Sequence, residues 1–446
     1  MFKTLRNALK VKDIRSRLLF TFIALIIVRI GSALPVPGVN QEYFKIWIES
    51  QMGEGIGFLN ALTGGSFSRM SIFALNISPY ITSSIIMQLL TIAIPKLEEM
   101  QKDGEDGRKK IAEISRYLTI GLAVIESAAL TIGFHNQGAV LDAGTPFVAH
   151  LFVITCSFTA GSAFLMWLGE RITQKGVGNG ISIILLINIV ASMPSDFYNL
   201  YTMFVKGASN VVNGVLAAVV ILAVIAVTIV LIILLQDAQR KIAVQYSKKI
   251  QGRKQVGGQS TFIPLKVNTA GVIPVIFAVS IMQFPIIICS FFGIQPARAY
   301  VLPKILYMLN QSNWFNIREE GAFVYTLGAV IYVVLILFFA YFYTSITFNP
   351  IEVANNMKKQ GGFIPGIRPG KPTTDYLNKV LNYIIFIGAI GLTIVAMIPI
   401  FFCGISGAQV SFGGTSLIIV VGVLLETMKQ VESQMLVRHY KGFLND

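Results

Sequence analysis

Residues that could catalyse a reaction or bind a metal are few in this chain of 446 residues. Three cysteines and three histidines are spread along it: Cys156, Cys289, Cys403, His135, His150 and His439. The cysteines lie in or at the ends of apolar segments, without the spacing of a metal site or of a disulfide framework. The sequence also contains no motif for nucleotide binding or hydrolysis. It therefore predicts no metal, no cofactor and no enzymatic activity.

Ionisable residues within the apolar segments are equally scarce. Arg29 and Glu126 lie inside such segments, and Glu426 lies near the end of one. Secondary transporters usually need ionisable or cation-coordinating groups near the centre of the bilayer, and membrane-embedded enzymes need clustered His, Asp, Glu or Cys. Both classes are therefore disfavoured. We expect Arg29 to snorkel or to form a structural pair, whereas the carboxylate of Glu126 is costly in the membrane without a partner.

The composition of the chain indicates an integral membrane protein. The chain is 54% hydrophobic and 13% charged, with a mean hydropathy of +0.68. A soluble domain of this length cannot bury so much apolar side chain. The basic residues behind the net charge of +14 lie between the apolar segments, which points to membrane orientation and anionic lipid rather than to nucleic acid.

Hydropathy predicts an all-α integral membrane protein with ten transmembrane helices, because segments of about 20 apolar residues match the hydrocarbon core of a bilayer. The predicted spans are 18–34, 72–94, 117–133, 147–168, 181–191, 211–235, 270–292, 322–346, 380–402 and 415–428. We expect the first to be retained rather than removed as a signal peptide, because no small-residue cleavage site precedes Pro35. The fifth and tenth are short, so we expect them to be tilted or extended by neighbouring polar residues.

The basic residues predict the orientation of these spans. Both termini, the loops 95–116, 236–269 and 347–379 and a short link contain 29 of the 36 Lys and Arg residues, whereas the opposite segments contain six. Because positive residues stay on the cytoplasmic side, both termini and these loops are predicted to face the cytoplasm. Ten spans form two groups of five, an N-terminal half (1–200) and a C-terminal half (201–446), and the odd number in each group predicts an inverted relation between them.

Two of the cytoplasmic loops carry their own structural signals. In 236–269, the stretch RKIAVQYSKK alternates polar and apolar residues and is followed by GRKQVGGQ, which predicts a hairpin that projects into the cytoplasm. In 347–379, the glycines and prolines of KKQGGFIPGIRPGKPTTDY predict a rigid, turn-rich tip and no regular helix. A plain transporter does not need such long structured loops on one side.

One segment before the second span is neither an ordinary loop nor a span. Residues 53–71, GEGIGFLNALTGGSFSRMS, are too polar and glycine-rich to face lipid, yet more apolar than an exposed loop. A short re-entrant helix shielded inside the protein fits this composition, and an interfacial loop on the outer surface fits it equally. The second span itself carries Asn76, Pro79 and several hydroxyl residues, which suit either a polar, breakable helix or ordinary close helix packing.

Several strings in order along nearly the whole chain resemble the SecY family. They are SRMSIFALNISPYITSSIIMQLL at 68–90, DGEDGRKKI at 103–111, GVGNGISI at 176–183, QSTFIPLKVNTAGVIPVIFA at 259–278, FNPIEVANNMKKQGGFIPGIRPG at 348–370, FGGTSLIIVV at 412–421 and RHYKGF at 438–443. The resemblance implies two inverted five-helix halves around a central hourglass pore with a re-entrant plug helix. Its implied function is to pass unfolded polypeptides across the bacterial plasma membrane and to release apolar segments sideways into the bilayer.

The resemblance also implies the residues of the pore. The candidate pore ring is Ile81, Ile85, Leu185, Ile189, Ile276 and Ile419. Leu185 departs from the commoner isoleucine but is a branched aliphatic residue of similar volume. A narrow apolar constriction dewets and resists ion flow. Aliphatic side chains also close around many passing sequences with little specificity.

A plug and a lateral gate follow from the same resemblance. The plug is the segment at about 57–71, with the candidate residues Phe58, Leu59, Leu62, Gly64, Gly65, Phe67 and Arg69. The candidate gate residues are Ser83, Ser84, Glu126 and Gln283. We expect Glu126 and Gln283, with hydroxyls near Ser83, to form a polar latch across the gate.

The two structured loops match the family's docking site for the SecA ATPase and the ribosome. The resemblance implies Arg253, Lys254 and Arg368 as the docking residues. Arginine suits the acidic or phosphate surfaces of such partners, although orientation alone also explains basic loops. The resemblance further implies SecE and SecG as small membrane partners, signal-peptide-bearing polypeptides as substrates, and contact with membrane lipid. The channel would be a passive conduit, driven by SecA or by the ribosome.

Overall fold

A computed structural model describes residues 10–40, 44, 63–136, 146–206, 211–246, 249–251, 254–256, 260–291, 300–315, 326–406 and 414–442. The α-helices, in chain order, are α1 (Lys12–Gly31), α2 (Ser78–Ala93), α3 (Pro95–Lys102), α4 (Glu105–Asn136), α5 (Phe147–Lys175), α6 (Gly180–Leu200), α7 (Val211–Asp237), α8 (Ile273–Phe291), α9 (Val301–Leu309), α10 (Leu327–Thr347), α11 (Pro350–Lys359), α12 (Lys371–Ser406) and α13 (Gly414–Gly442). A π-helical turn, Tyr201–Lys206, follows α6, and a 3₁₀ turn, Gln311–Asn313, follows α9. The strands are β1 (Gln239–Tyr246), β2 (Lys249–Gln251), β3 (Lys254–Val256), β4 (Ser260–Lys266) and β5 (Gly362–Phe363).

Each predicted span overlaps one of these helices, namely α1, α2, α4, α5, α6, α7, α8, α10, α12 and α13. Among the described residues, six helical segments are long and apolar enough to cross a bilayer by themselves, and the bent pair α2–α3 is a seventh candidate. The two short predicted spans are extended at their polar ends, since α6 continues to Leu200 and α13 continues to Gly442. The expected extension by polar residues is therefore confirmed.

The second span begins later than predicted, because residues 72–77 form turns and α2 starts only at Ser78. Asn76 has a φ of +52°, a left-handed conformation that costs about 1–2 kcal/mol for most residues and interrupts a helix. Pro79 lies in the first turn of α2, where its missing N–H removes no helical hydrogen bond. Pro79 therefore starts α2 and does not break it.

The helices pack in two groups that follow the order of the chain. In the first group α2 packs against α4, α4 against α5, and α5 against α6, while α1 lies against α5 and α6. In the second group α8 packs against α10, α10 against α12, and α7 against α12 and α13. The groups touch where α4 meets α8 and where α6 meets α13. A surface that runs between the groups therefore brings together residues that are far apart in sequence.

The described parts of the two long loops that are predicted to be cytoplasmic, 236–269 and 347–379, form one folded unit. Strands β1 and β4 pair antiparallel, from Gln239 opposite Lys266 to Gln245 opposite Ser260, which confirms the predicted hairpin. The short strand β5 of the second loop pairs with the end of β1, so the sheet has the order β4-β1-β5. Buried aliphatic residues from β1, β4, α11 and α12 form a common core beneath this sheet.

The second loop contains more helix than predicted. Residues 350–359 form α11, which Asn349 caps by accepting hydrogen bonds from the backbone N–H groups of Ile351 and Glu352. Such a cap stabilises a helix by about 1 kcal/mol. At the other end, α12 begins at Lys371 and carries Pro372 in its first turn, where proline is tolerated. Only residues 360–370 form the turn-rich tip, so the predicted exclusion of a helix was wrong for the flanking residues.

Candidate functional site

Four aliphatic residues from four helices meet in one hydrophobic cluster. Ile189 of α6 and Ile419 of α13 are buried in this cluster, and the partly buried Ile81 of α2 and Ile276 of α8 pack against it. Ile81 and Ile189 lie on α2 and α6 of the first group, whereas Ile276 and Ile419 lie on α8 and α13 of the second. All four are candidate ring residues, and they belong to one hydrophobic cluster that contains residues of both groups.

The other two candidate ring residues lie on the same helices as Ile81 and Ile189. Ile85, one turn after Ile81 on α2, is partly buried against the core of the second group. Leu185, one turn before Ile189 on α6, is only 6% exposed. Since α2 belongs to the first group, the packing of Ile85 on the second core places it across the seam between the groups.

A tight glycine-rich turn sets the position of α6. The backbone of α5 lies so close to α6 that a Cβ on Gly180 would stand 1.9 Å from the carbonyl oxygen of Gly169. Asn179 caps α6, because its side-chain oxygen accepts hydrogen bonds from the N–H groups of Ile181 and Ser182. The sequence GVGNGISI thus fixes both the start and the close approach of the helix that carries two candidate ring residues.

Residues 63–77 form a compact series of turns against these helices. Within this segment, as far as the structure describes it, the backbone forms no α-helix. Two backbone hydrogen bonds fasten it to the chain beyond α1: Val36 donates to Met70 at 2.9 Å and Ile72 donates to Leu34 at 3.0 Å. The segment is therefore a folded insertion and not a loop lying free on a surface.

The apolar side chains of this segment face two cores. Phe67, Met70 and Leu75 are buried in a cluster that includes Phe44 and Phe158. Phe73 and Ile77 belong to the same cluster as Ile189 and Ile419. The segment therefore packs directly on the hydrophobic cluster that contains the candidate ring residues.

Polar contacts hold the same segment at two points. Nη1 of Arg29, in the last turn of α1, donates a hydrogen bond to the carbonyl oxygen of Gly64 at 3.3 Å. Nδ2 of Asn188 on α6 donates to Oδ1 of Asn76 at 3.1 Å, and both asparagines are buried. Arg29 therefore contacts the described part of the predicted plug, which refines the expectation that it would snorkel or form a structural pair.

The predicted plug residues are only partly within the described chain. Phe58, Leu59 and Leu62 lie outside the described residues. Gly64 and Gly65 have φ values of +63° and +80°, and Phe67 is buried. The described part of the predicted plug, 63–71, is packed inside the protein through Phe67 and Met70, but it consists of turns and not of a helix.

The predicted gate residues lie on helices that meet between the two groups. Gln283 of α8 is buried, and Glu126 of α4 is half-buried, and α4 and α8 are in contact. Ser83 is fully buried on α2, and Ser84 beside it is half-buried. Oγ of Ser83 donates to the carbonyl oxygen of Ser115 at 2.7 Å.

The structure therefore gives Ser83 a partner that the sequence did not suggest. Ser115 lies on α4, so this hydrogen bond joins two helices of the first group and does not cross the gate. Among the described residues no hydrogen bond joins Glu126 to Gln283. The polar latch stays a prediction, with Glu126 and Gln283 as its remaining members.

The described docking candidates, Lys254 and Arg368, lie in the two loops that are predicted to be cytoplasmic. Arg368 is exposed at the tip of residues 360–370, and the buried Ile364 and half-buried Ile367 anchor this tip in the core beneath the sheet. The carbonyl oxygen of Arg368 accepts a hydrogen bond from the hydroxyl of Thr373 at 2.9 Å. Lys254 lies in β3, and Arg253 lies outside the described residues.

Sequence reasoning missed Asn188 and Ser115 as site residues. Asn188 interrupts the apolar run ISIILLINIVAS, and this one buried polar residue in a span was a usable signal, because such residues in membranes are costly unless they are paired. Ser115 carries no comparable signal, since serines near helix ends are ordinary. Among the described residues, the His, Cys, Asp and Glu side chains form no group of three or more that could hold a metal ion.

Comparison of the sequence with known proteins gives long matches. The sequence model of the SecY family matches residues 71–428. The curated "Protein translocase subunit SecY" of Halalkalibacterium halodurans is 44% identical over 449 aligned residues, which cover 100% of both chains. The protein of the same description from Bacillus subtilis is 45% identical over 450 residues, again with 100% of both chains covered.

Comparison of the fold gives solved channels. A structure described as "The structure of a protein conducting channel" has a TM-score of 0.65 and 17% identity, and the match covers 95% of this chain and 93% of the other. A second, which concerns a plug domain that "maintains a membrane seal", has a TM-score of 0.61 and 18% identity over the same shares of the two chains. A third, from a "Canine ribosome-channel complex", has a TM-score of 0.59 and 16% identity, again over 95% and 93%.

Proposed function

The chain belongs to the SecY family, and we propose that it forms the channel through which unfolded polypeptides cross the bacterial plasma membrane. The observation that carries this proposal is the meeting of Ile81, Ile189, Ile276 and Ile419, from helices of both groups, in one hydrophobic cluster. Relatives that share the whole length of the chain are translocase subunits by name.

The proposed pore ring consists of these four residues together with Ile85 and Leu185. An aliphatic ring of this kind excludes water at rest, because a narrow apolar constriction dewets and so blocks ions. Aliphatic side chains carry no hydrogen-bonding groups that a passing chain must satisfy, so they can accommodate many sequences. The ring can therefore close around a passing polypeptide with little preference for its sequence.

The proposed plug is the segment at about 57–71, with the turns up to Ile77 as its base. Its packing on the cluster of the ring residues supports this role, and a plug domain that maintains a membrane seal is named for one structural relative. When a polypeptide enters, the segment has to leave the seam, and this exchanges the contacts of Phe73 and Ile77 for contacts with the passing chain.

The proposed lateral gate lies where the two groups of helices touch, and it includes Ser83, Ser84, Glu126 and Gln283. Helix association within lipid lacks a hydrophobic driving force and depends on packing and polar contacts. A seam closed by few polar groups can therefore open towards lipid when an apolar segment competes for it. This gives the channel a second exit, into the bilayer.

The proposed docking surface is the cytoplasmic unit with Arg253, Lys254 and Arg368. It supports binding of the SecA ATPase and of the ribosome, because a rigid sheet with an anchored tip presents an arginine with little loss of side-chain entropy. We also propose SecE and SecG as membrane partners, both termini in the cytoplasm, and the N-terminal half (1–200) and C-terminal half (201–446) as inverted units. We propose that the channel itself is a passive conduit and that the motor or the ribosome drives transport.

The test of this proposal is transport of a signal-bearing precursor into sealed proteoliposomes. The chain is reconstituted with SecE and SecG, and SecA and ATP are then added. We expect protease-protected precursor that depends on ATP. Folded complex that protects no precursor would contradict the proposal, and solute uptake by the same vesicles without any motor would favour a secondary transporter instead.

A further inference from the structure

Arg29 lies in an apolar helix. The only described hydrogen bond of its side chain goes to the backbone of the proposed plug. Its guanidinium donates from Nη1 to the carbonyl oxygen of Gly64 at 3.3 Å. Among the residues that the structure describes, no carboxylate lies within ion-pair distance of it. A charged group at membrane depth is costly without a partner. The described partner of Arg29 is a neutral carbonyl of the proposed plug, which suggests a functional role for this contact.

The position of Gly64 admits almost no other residue. Its φ of +63° is left-handed, and a Cβ at this position would stand 2.7 Å from Nη1 of Arg29 and 2.8 Å from the carbonyl oxygen of Asn188. The backbone of the plug segment is therefore held between the end of α1 and the middle of α6. Only glycine, which lacks a Cβ, allows this approach.

Asn188 contacts the same segment at a second point. While its backbone lies against Gly64, its Nδ2 donates to Oδ1 of Asn76 at 3.1 Å. Both ends of the turn series 63–77 thus contact one residue of α6. The next residue on α6 is Ile189, which is buried in the cluster of the candidate ring.

We propose that Arg29 and Asn188 form a clasp that keeps the plug segment in its closed position. Arg29 hydrogen-bonds to the backbone at Gly64, and Asn188 hydrogen-bonds to the side chain of Asn76. Resting on the proposed function, the clasp couples the plug to the ring, because any displacement of Ile189 by an entering chain also moves Asn188. Such a movement breaks the contacts at Gly64 and Asn76 together. Arg29 and Asn188 are positioning residues, and neither needs to touch the substrate.

The contacts of the clasp suit a seal that must open. Arg29 makes one described hydrogen bond to the plug segment, at 3.3 Å to Gly64, and Asn188 makes one, at 3.1 Å to Asn76. An entering polypeptide therefore has to break two side-chain hydrogen bonds to release the clasp.

The test is the ionic current of the resting channel, measured in a planar bilayer with the complex but without SecA or precursor. We expect Arg29→Met and Asn188→Leu to raise the open probability by about tenfold, which corresponds to about 1.4 kcal/mol. Arg29→Lys, which keeps a charged donor, should restore most of the seal. Arg17→Met is the matched control, because Arg17 on the same helix also donates to a backbone carbonyl, that of Gly176 at 3.5 Å.

A second measurement reads the plug segment directly. In a cysteine-free background, Ser66→Cys places a thiol at a buried position of the segment, and a membrane-impermeant maleimide reports when this position opens. We expect faster labelling in the Arg29→Met and Asn188→Leu variants than with Arg17→Met. Equal currents and equal labelling rates in all three would overturn the clasp. ATP-driven translocation in the same preparation tests the proposed function separately, because loss of the clasp leaves the conduit itself intact.

Discussion

Tyr246 and Gly362 lie opposite each other in the antiparallel strands β1 and β5. This pairing joins the two loops 236–269 and 347–379, which are separated in the chain by helices of the second group. The ring of Tyr246 lies so close that a Cβ on Gly362 would stand 2.9 Å from its Cε1 atom. The proposed docking surface is therefore one folded unit, and the pairing of β1 with β5 leaves little room for a side chain at position 362.

The first prediction follows from this contact. Gly362→Val should displace Tyr246 and separate β5 from β1, because overpacking of a buried contact costs about 1–3 kcal/mol. We expect binding of SecA to the reconstituted complex to weaken several-fold and protease cleavage in 360–370 to accelerate. Gln360→Ala, at an exposed position of the same tip, serves as the control. Unchanged binding and cleavage with Gly362→Val would show that the pairing does not shape the docking surface.

The second prediction concerns the charge at the tip. Arg368→Glu leaves the backbone anchored by Ile364 and Ile367 but reverses an exposed charge that is expected to face acidic groups on a motor. We expect ATP-dependent translocation to fall by tenfold or more, while the resting current stays unchanged. Lys359→Glu makes the same charge change at an exposed position at the end of α11. Equal losses in the two variants would assign the effect to net charge and not to Arg368.

Much of this fold could be predicted from the sequence, because a bilayer imposes a simple rule on spanning segments. A run of apolar residues long enough to cross the hydrocarbon core must form a helix, since no water is present to satisfy its backbone. The rule placed a helix at each predicted span. The hairpin was also predictable, because the alternation in RKIAVQYSKK has the period of a strand, and Ile242 and Val244 are indeed buried on one face of β1.

The local errors have equally local causes. The prediction started the second span at residue 72, because hydropathy does not detect a left-handed backbone at Asn76. It denied a helix to the end of the glycine- and proline-rich stretch of the second loop, because proline was taken as a breaker although Pro372 lies in the first turn of α12. Contacts between distant residues, such as Ser83 with Ser115 or Arg29 with Gly64, depend on packing that no local pattern encodes.

The third prediction tests the lateral gate. Glu126→Leu removes a half-buried polar group from a helix that contacts α8 and replaces it with a side chain that lipid solvates well. If Glu126 and Gln283 form the latch, the barrier to opening falls, and precursors with defective signal sequences should be transported several-fold more efficiently. The measurement is protected precursor with normal and defective signals in the same vesicles.

The control for the gate is the adjacent residue. Ile125→Leu changes a side chain that is 66% exposed on the surface of α4, and it should not alter signal stringency. The double variant Glu126→Leu with Gln283→Leu should show no further effect beyond the single change, because both residues act in one contact. Unchanged signal stringency in the Glu126→Leu variant would show that Glu126 does not form a latch at the gate.

The fourth prediction compares two glycines within helices of the first group. A Cβ on Gly161 of α5 would stand 2.0 Å from the backbone carbonyl oxygen of Ile72, whereas a Cβ on Gly121 of α4 would meet nothing within 4 Å. Alanine normally favours a helix by about 1 kcal/mol over glycine, so Gly121→Ala should leave the melting temperature of the detergent-solubilised protein unchanged or slightly raised. Gly161→Ala should lower it by several degrees, because a backbone atom cannot yield as a flexible side chain can. The same displacement at Ile72 should loosen the base of the plug segment and raise the resting current, so equal melting temperatures and equal currents for the two alanine variants would contradict the close approach of α5 to this segment.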